Sequence, residues 1–351
     1  MRSGEAVEID GGYGEGGGSV VRVALAVSAL TGQAAAIRNV RGGLRRPGVS
    51  PVDAALARAL ADATGAEVSA QIGDDVLLFA PSHPVRPLRD RIDLNAIAKG
   101  SQPGSATLIL QSLLTPLARA GAVSRFNCRG GTHVPFSPTF EYFRAVTLPA
   151  MARCGIVAFP TMEAAGYPPR GGGEVSIEIE PSAINSIRME ERGQQESVRA
   201  FVVTSELPDS IAKRGVDHLH KLAHQNNLEM SVETVRPRAS SPGAAVTCTA
   251  LFENGFGGYQ SIGQQGKPME AVCEEAFFEL IEWLNGDATA DEFLADHLVL
   301  PVALCSEESY FTTSRITPTL LTAAWVIKQF MPAKITIIGK EGTAGKITAG
   351  G

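Results

Sequence analysis

The sequence predicts an α+β fold of repeated βαβαββ-type units with a small inserted α/β domain. Short β-like runs alternate with helical runs along most of the chain. Between residues 184 and 284 charged residues become denser and the order of elements changes, and the repeating pattern then resumes. We therefore expect a large domain over 1–183, an inserted small domain over 184–284 and a final unit of the large domain over 285–351. A chain of 351 residues with 44% hydrophobic residues is long and apolar enough to form such cores.

The first unit follows from hydrophobic spacing. A strand is predicted over 6–10 and a helix over 20–30, followed by a second strand over 34–40 and a second helix over 52–63. The alternating segment 67–81 is typical of a β-hairpin. Together these elements give the order βαβαββ.

The pattern returns along the rest of the chain, with low identity between the copies. The segment 104–119 predicts a helix after a glycine-rich turn, and 124–130 predicts a strand. The remaining elements are a helix over 142–155, strands over 157–164 and 174–180, and a final helix and strand over 319–330 and 334–339. We interpret the pattern as three or four copies of one α+β unit.

In the inserted segment, the predicted strands and helices follow a different order from that of the repeated units. It predicts a strand, a helix, two strands and a helix, over 198–205, 209–225, 229–235, 244–253 and 269–284. Its mixed charge fits a partner surface and equally a solvated lid.

Charge and cysteine content narrow the class of protein. The chain carries 31 basic and 37 acidic side chains, a net charge of −6, so any contact with nucleic acid must rest on a local basic patch. The five cysteines are scattered without CxxC spacing, which argues against a disulfide framework or a zinc site. The sequence begins without an apolar leader and has no stretch of about 20 apolar residues. We expect a cytoplasmic protein without a membrane segment.

A glycine-rich loop lies between the first strand and the first helix. Gly14, Gly16, Gly17 and Gly18 allow close approach of the backbone to a ligand, and a helix start favours an anion. The loop lacks the acidic residue of a dinucleotide fold and the Gly-Lys-Ser/Thr of a P-loop. A ligand loop and a structural turn are therefore both open. Glu15 would oppose a phosphate unless a divalent cation joined them, or it complements the helix dipole.

Basic residues form their densest run directly after the second strand. Arg38, Arg41, Arg45 and Arg46 suit phosphate oxygens, although a solvated loop explains such runs equally well. Two more glycine-rich turns, over 100–105 and 129–135, are candidates for the same cleft.

Histidines are the remaining candidates for a metal site. His220 and His224 share one face of a predicted helix, but no acidic or cysteine partner completes a metal site. An exposed helix is the better explanation for this pair.

Ordered motifs across nearly the whole chain resemble the RNA 3'-terminal phosphate cyclase family. They are IDGGYGEGGGSVVRVALAVSALTGQ, RGGLRRPG, GSATLILQSLL, RGGTHVP, GYPPRGGGEV, ERG and LADHLVLPVAL. The resemblance implies units similar to the C-terminal domain of bacterial translation initiation factor 3, a fold related to enolpyruvyl transferases, with a small insert. It also implies a reaction in which ATP adenylates a histidine and AMP passes to an RNA 3'-phosphate. The adjacent 2'-hydroxyl then displaces AMP and leaves a 2',3'-cyclic phosphate.

The resemblance also implies site residues. Glu15 matches the metal-site glutamate for a divalent ion, Mg or Mn, and Arg22 and Arg41 match phosphate-binding arginines, with Arg45 close by. Gln111 matches a glutamine of the nucleotide pocket. The segment expected to line the adenosine comprises Phe293, Leu294, Ala295, Asp296 and His297.

Several positions depart from the family pattern. Where the family has its nucleophilic histidine, this chain has Thr319, and a threonine hydroxyl without a base is a poor nucleophile. Phe293 stands for a tyrosine, His297 for a glutamine and His133 for an aspartate, while Pro51-Val52-Asp53 replaces Arg-Gln-His. His297 and His133 are candidates to replace the nucleophile, and either is equally explained as a satisfied polar residue.

Three functions follow as hypotheses. The favoured one is an ATP-dependent enzyme of the ligase class that cyclises RNA 3'-phosphates, in which Thr319 replaces the histidine that the resemblance assigns to adenylation. The second is a catalytically inactive RNA-binding or scaffold protein. The third is a repurposed enzyme acting on another phosphorylated substrate. Fold alone does not choose between them.

Overall fold

The computed structural model describes residues 6–100 and 102–351, and within them it confirms an α+β architecture. Residues 1–5 and Ser101 of the predicted turn lie outside the described residues. The helices are α1 (Gly18–Thr31), α2 (Pro51–Thr64), α3 (Leu94–Ala98), α4 (Ala106–Ala118), α5 (Phe140–Tyr142), α6 (Leu148–Arg153), α7 (Asp209–Gln225), α8 (Met269–Asn285), α9 (Glu292–Ala303) and α10 (Pro318–Phe330), with a π-helical turn, Phe143–Thr147, joining α5 to α6. The strands are β1 (Val7–Asp10), β2 (Ala35–Arg38), β3 (Glu67–Ser69), β4 (Leu77–Ala80), β5 (Ile92–Asp93), β6 (Ser124–Gly130), β7 (Ala158–Ala164), β8 (Gly173–Ile179), β9 (Gln195–Ser205), β10 (Ser231–Val235), β11 (Gly243–Phe252), β12 (Gly255–Ile262), β13 (Ser309–Thr313), β14 (Ile335–Ile338) and β15 (Gly345–Ala349).

The first two sheets have the same topology. The first has the order β1-β2-β4-β3, with β1 parallel to β2 and the other pairs antiparallel. The second has the order β5-β6-β8-β7, with β5 parallel to β6 and the other pairs antiparallel. Two consecutive parts of the chain thus fold with the strand order that a repeated βαβαββ unit requires.

The last sheet completes a third unit with an interrupted first strand. Its named strands have the order β13-β15-β14. On the far side of β13, Arg188 pairs in parallel with Tyr310, and Ala290 pairs in parallel with Thr313. Two segments, one before and one after the inserted part, therefore share the position that β1 and β5 occupy in the other units. The predicted division at 184 and 284 stays a prediction, and this pairing favours boundaries a few residues later at both ends.

The inserted part forms its own four-stranded sheet, in the order β10-β9-β11-β12, with α7 and α8 packed on it. Its apolar cluster includes Val202, Cys248, Phe277 and Trp283 and is separate from the cluster of the repeated units. The sequence analysis missed β12, because the glycines of FGGY weaken the strand pattern.

Four helices of the repeated units pack against one another at the centre of the molecule. α1 contacts α10, α2 and α4, and α9 contacts α10. Leu25, Leu110, Leu298 and Val326 of these helices are fully buried, and burial of such side chains stabilises the fold by roughly 1.5–3 kcal/mol each. The packing fixes α1, α4, α9 and α10 around one cavity.

The start of α2 shows how local sequence positions a charged group. Ser50 Oγ accepts a hydrogen bond from Asp53 N (3.2 Å), and Asp53 Oδ2 accepts one from Ser50 N (2.9 Å), a capping box with Pro51 in the first turn. The buried Asp53 carboxylate is thereby held in one orientation beneath the arginine-rich loop.

All five cysteines are free and buried. Within the described parts of the chain, no helix combines the length and the apolar character that a bilayer crossing requires.

Candidate functional site

A cavity of about 560 Å³ opens where α1, α4, α9 and α10 meet. The loop at 136–138 and the inserted part, through Gln260 and Glu279, contribute further walls. Seven predicted site residues line it: Glu15, Arg22, Gln111, Phe293, Asp296, His297 and Thr319. Residues from distant parts of the sequence thus converge on one concave, partly polar space, as ligand sites commonly do.

Glu15 connects the glycine-rich loop with α1 and α10. Its Oε1 accepts hydrogen bonds from the backbone N of Ser19 (3.0 Å) and from the Ser19 hydroxyl, and its Oε2 accepts one from Thr319 Oγ1 (3.0 Å). The Glu15 backbone N donates to Thr322 Oγ1 (3.2 Å). The hydroxyl of Thr319 therefore donates to the Glu15 carboxylate, which is a weaker base than the imidazole that commonly activates such a hydroxyl.

Two loop glycines are required by backbone geometry. Gly14 and Gly16 have φ values of 61° and 58°, and a Cβ at Gly16 would lie 2.7 Å from Cα of Gly43. The cavity lining includes Glu15 and Ser19 but none of Gly14, Gly16, Gly17 and Gly18. The role of these glycines in phosphate binding stays a prediction, and the structure explains two of them by the tight turn.

Arg22 lies in the cavity wall among charged neighbours. Burial lowers its pKa, while the carboxylates of Asp53 and Glu15 oppose this effect. A guanidinium remains charged under such conditions, so Arg22 presents a positive charge to the cavity.

Arg41 lies near Arg22 and is partly neutralised. Its Nη1 is 3.5 Å from Oδ2 of Asp53. Nε of Arg41 and Oδ1 of Asp53 are buried and have no hydrogen-bond partner among the described residues. Asp53 therefore offsets one of the two predicted phosphate-binding charges. Arg45 is exposed and lies outside the cavity lining.

Gln111 is a residue of the cavity lining and carries a buried acceptor without a partner. It is almost fully buried, and its Nε2 donates to Oγ1 of Thr147 (3.3 Å) in the π-helical turn. Its Oε1 has no hydrogen-bond partner in the part of the chain that the structure describes. A buried amide oxygen without a donor is costly, and a ligand N–H group would satisfy it.

Helix geometry separates the predicted adenosine segment into two faces. Phe293, Asp296 and His297 line the cavity, at the spacing of one helix face. Leu294 and Ala295 are fully buried in the apolar core and do not line it. The sequence motif alone did not distinguish the two sets.

The three cavity-facing residues of α9 differ in character. The Phe293 ring is half exposed and meets Tyr259 edge-on, with ring centroids 6.0 Å apart. Burial raises the pKa of Asp296 well above its ordinary value, although Thr317 Oγ1 donates to its carboxyl group. Burial, together with nearby Arg22, lowers the pKa of His297 to about 3. The His297 imidazole is thus neutral at physiological pH.

His133 lies outside the cavity lining. The side chain is fully buried, with Nδ1 2.8 Å from Thr132 Oγ1 and Nε2 2.7 Å from Glu141 Oε2, and its ring stacks on Tyr167. Both ring nitrogens are engaged, so the structure favours the satisfied polar residue of the two explanations offered for His133.

The sequence analysis missed cavity residues that are brought in by long-range packing. Phe136 is fully exposed at the cavity mouth with a φ of 59°. Gln260 of the inserted part accepts from Thr139 N (2.6 Å) and donates to Ser137 O (2.5 Å), and so holds the loop that carries Phe136. An apolar residue between two prolines in HVPFSP is a sequence signal for Phe136, whereas Gln260 has none.

A divalent metal was predicted at Glu15. The described residues contain no group of three or more His, Cys, Asp or Glu side chains placed to hold a metal ion. Mg²⁺ is usually bound through one or two carboxylates together with substrate phosphates and water. The single carboxylate of Glu15, with the hydroxyls of Ser19 and Thr319 beside it, fits shared binding of that kind.

Fold and cavity together define an α+β protein with a concave, partly polar site that contains Arg22. The sequence profile of the RNA 3'-terminal phosphate cyclases matches residues 13–337. The chain is 36% identical over 334 residues to the RNA 3'-terminal phosphate cyclase of Methylococcus capsulatus, covering 94% of this chain and 92% of that protein. It is 36% identical over 333 residues to the RNA 3'-terminal phosphate cyclase of Trichormus variabilis, covering 94% of this chain and 96% of that protein. It is 33% identical over 345 residues to the RNA 3'-terminal phosphate cyclase of Thermococcus onnurineus, covering 97% of this chain and 98% of that protein. The chain belongs to the RNA 3'-terminal phosphate cyclase family.

Proposed function

We propose that this chain binds ATP and a phosphorylated RNA 3' end in the cavity and converts the 3'-phosphate to a 2',3'-cyclic phosphate. The observation that carries the proposal is the convergence of Arg22, Gln111 and Phe293 on one cavity in a member of this family. The matching strand order of the first two sheets supports the expected likeness to translation initiation factor 3 and enolpyruvyl transferase units. The buried, free cysteines fit the expected cytoplasmic location.

The adenosine end of ATP fits the part of the cavity between α4 and α9. A purine ring would stack on the half-exposed Phe293, a contact worth roughly 1–3 kcal/mol. The unpartnered Oε1 of Gln111 is an acceptor for the exocyclic amino group of adenine. Both contacts use groups that lack a full set of protein partners.

The phosphates fit the opposite side, near the start of α1. Arg22 supplies a cation with fork geometry. Arg41 lies outside the cavity lining and adds a second positive charge nearby, which Asp53 partly offsets. Glu15 would hold a divalent ion there, and such an ion supplies charge neutralisation for the phosphate groups. Glu15 itself orients the Thr319 and Ser19 hydroxyls toward the same space.

The overall chemistry balances as follows. An oxygen of the RNA 3'-phosphate becomes bonded to the α-phosphorus of ATP, and pyrophosphate leaves. The 2'-hydroxyl oxygen then attacks the RNA 3'-phosphorus, its proton is lost and AMP leaves with the bonding electrons. Arg22 stabilises the charge that develops on the phosphate oxygens in both displacements.

The test is incubation of the protein with ATP, Mg²⁺ and an oligoribonucleotide that ends in a 3'-phosphate. We expect an end group that resists phosphatase and yields to acid, and no such product from an oligonucleotide whose last sugar lacks the 2'-hydroxyl. Arg22→Met should lower the rate by about 10²–10³-fold, the loss typical for a group that stabilises transition-state charge. Unchanged 3'-phosphate in the wild-type reaction would refute the proposal.

A second candidate is a catalytically inactive RNA-binding protein. Two observations favour it: Thr319 donates its hydroxyl to Glu15, and Asp53 offsets Arg41. This function predicts salt-dependent binding of a 3'-phosphorylated RNA without consumption of ATP. Measuring ATP hydrolysis to AMP in the same reaction distinguishes the two.

A further inference from the structure

Transfer of AMP through the protein needs a nucleophile in the cavity. Thr319 donates to the Glu15 carboxylate, which is a weak base for activating a hydroxyl. A threonine hydroxyl also does not form the labile phosphoramidate that an imidazole forms. The five cysteine thiols are buried, and none of them lines the cavity. The nucleophile must therefore come from another side chain of the lining.

Among the described residues of the cavity lining, one histidine is available as a nucleophile. The chain has six histidines, and His297 is the one among the lining residues. His133 is buried with both nitrogens engaged, and His218 pairs with Glu274 in the inserted part (2.9 Å). His220 and His224 are exposed on α7. His83 has its Nδ1 2.9 Å from Pro84 O and does not line the cavity.

The His297 imidazole is placed between the two ends of the proposed ATP site. It lies one helical turn after Phe293 on the same face of α9, and its charge environment is dominated by nearby Arg22. No hydrogen bond joins its ring to another residue that the structure describes. Burial and the Arg22 charge hold its pKa at about 3, so a ring nitrogen keeps a free lone pair at neutral pH.

We propose that His297 accepts AMP from ATP in this chain, in the role that Thr319 cannot fill. The inference rests on the proposed function, since it names the group through which AMP reaches the RNA. A ring nitrogen of His297 attacks the α-phosphorus, an N–P bond forms, and the bond to the β-phosphate oxygen breaks as pyrophosphate leaves. The ring proton is lost to solvent. The RNA 3'-phosphate then attacks the same phosphorus and breaks the N–P bond, and the leaving ring nitrogen takes up a proton from solvent, which regenerates the neutral imidazole.

The experiment incubates the full-length protein with ATP labelled at the α-phosphate and Mg²⁺, and then measures label that is stable to base and labile to acid. We expect wild-type protein to carry such label and His297→Gln to lose it by more than about 100-fold, as removal of a nucleophile usually does. His224→Gln, on the exposed face of α7, is the matched control and should keep the label. ATP affinity of His297→Gln, measured by equilibrium dialysis, should change by less than about threefold.

A second variant separates loss of a nucleophile from loss of structure. In the double variant His297→Gln, Thr319→His, a new imidazole lies beside Glu15 in the same cavity, and label should return. A purely structural role of His297 would not be rescued in this way.

The outcomes separate the inference from the proposed function. Label that persists in His297→Gln overturns the inference. Cyclic ends formed by wild-type protein without any protein-bound label also overturn it, because the RNA phosphate then attacks ATP directly, while the proposed function stands. Wild-type protein that forms neither label nor cyclic ends overturns both.

Discussion

At the residue scale, Glu15 and its partners define the chemistry that the cavity permits. The carboxylate accepts from Ser19 and from Thr319, the position at which the resemblance implies a histidine, and both hydroxyls thereby support Glu15. Asp53 has a similar effect on Arg41. Two of the predicted charged site residues, Glu15 and Arg41, therefore have protein partners.

Phe136 provides a test of ligand binding that is independent of stability. Its ring is fully exposed and its backbone has a φ of 59°, a conformation that costs a non-glycine residue about 1–2 kcal/mol. Strain of this kind is concentrated at functional sites. We predict that Phe136→Gly weakens binding of a 3'-phosphorylated oligonucleotide by about 10-fold through lost stacking.

The same variant should leave the free energy of unfolding within about 0.5 kcal/mol of wild type, because relief of strain and the added freedom of the unfolded chain oppose each other. Fluorescence titration and urea unfolding give the two values. A large loss of stability with unchanged RNA affinity would assign Phe136 a structural role.

The segment from Phe293 to His297 shows that a sequence motif does not by itself specify which of its side chains face the cavity. The segment from Phe293 to His297 was predicted as one adenosine-lining unit, yet Leu294 and Ala295 belong to the core. Recognising that the segment is helical would have separated the two faces at a spacing of three and four residues. Gln260, by contrast, reaches the cavity by tertiary packing, which no local pattern encodes.

At the element scale, the glycine-rich loop fixes how α1 meets α10. Gly16 has a φ of 58°, and a Cβ there would meet the backbone of Gly43. Gly32, after α1, has a similar φ of 72° but open space around it. An alanine at Gly32 would cost stability only through its backbone conformation. An alanine at Gly16 would cost stability through backbone conformation and through steric crowding as well.

We predict that Gly32→Ala lowers the free energy of unfolding by about 1 kcal/mol and Gly16→Ala by more than about 2 kcal/mol. Gly16→Ala should also abolish ATP binding, because the loop that carries Glu15 must move. Chemical denaturation and equilibrium dialysis measure the two effects. Equal losses of stability in both variants would contradict the packing described here.

The start of α9 predicts a pH dependence of stability. Asp291 caps this helix, with Oδ1 accepting from Leu294 N (2.7 Å), and burial raises its pKa to about 7. Between about pH 4 and pH 7 the unfolded chain has released this proton while the folded protein still holds it. The contribution of Asp291 to the free energy of unfolding therefore falls as the pH rises through this range, by up to about 4 kcal/mol.

Asp291→Asn should remove this dependence and keep the helix cap, since Asn caps helices as well as Asp does. Urea unfolding at several pH values compares the two proteins. If the free energy of unfolding changes between pH 4 and pH 7 with the same slope in the wild type and in the variant, the raised pKa of Asp291 would be contradicted.

At the scale of the whole molecule, hydrophobic period and turn residues predicted the α+β class and most elements of the first unit. The strands that were missed, β5, β12, β13 and β15, are short or glycine-rich, and their pairing is set by tertiary contacts. Helix α9 was missed as well, although it has 12 residues and no glycine. The interrupted first strand of the last unit, formed around Arg188 and Ala290, depends on pairing across about a hundred residues. Local pattern carries no information about such pairing.

The inserted part reaches the cavity through Gln260 and Glu279, so the ligand should connect it to the repeated units. We predict that saturating ATP slows amide exchange in α9 and β12 and leaves α7 and β10, which lie away from the cavity, unchanged. Hydrogen exchange followed by mass spectrometry provides the comparison. Uniform slowing across α7 and β10 would show a global effect without a local site.

The central claim is that the cavity couples ATP to an RNA 3'-phosphate. The most direct measurement follows AMP, pyrophosphate and cyclic ends in one reaction of the wild-type protein with ATP, Mg²⁺ and a 3'-phosphorylated oligoribonucleotide. The account predicts that the three products accumulate in equal amounts, and that all three disappear when the terminal 2'-hydroxyl and the 3'-phosphate are both absent. RNA that binds while its 3'-phosphate stays unchanged and ATP is not consumed would contradict it.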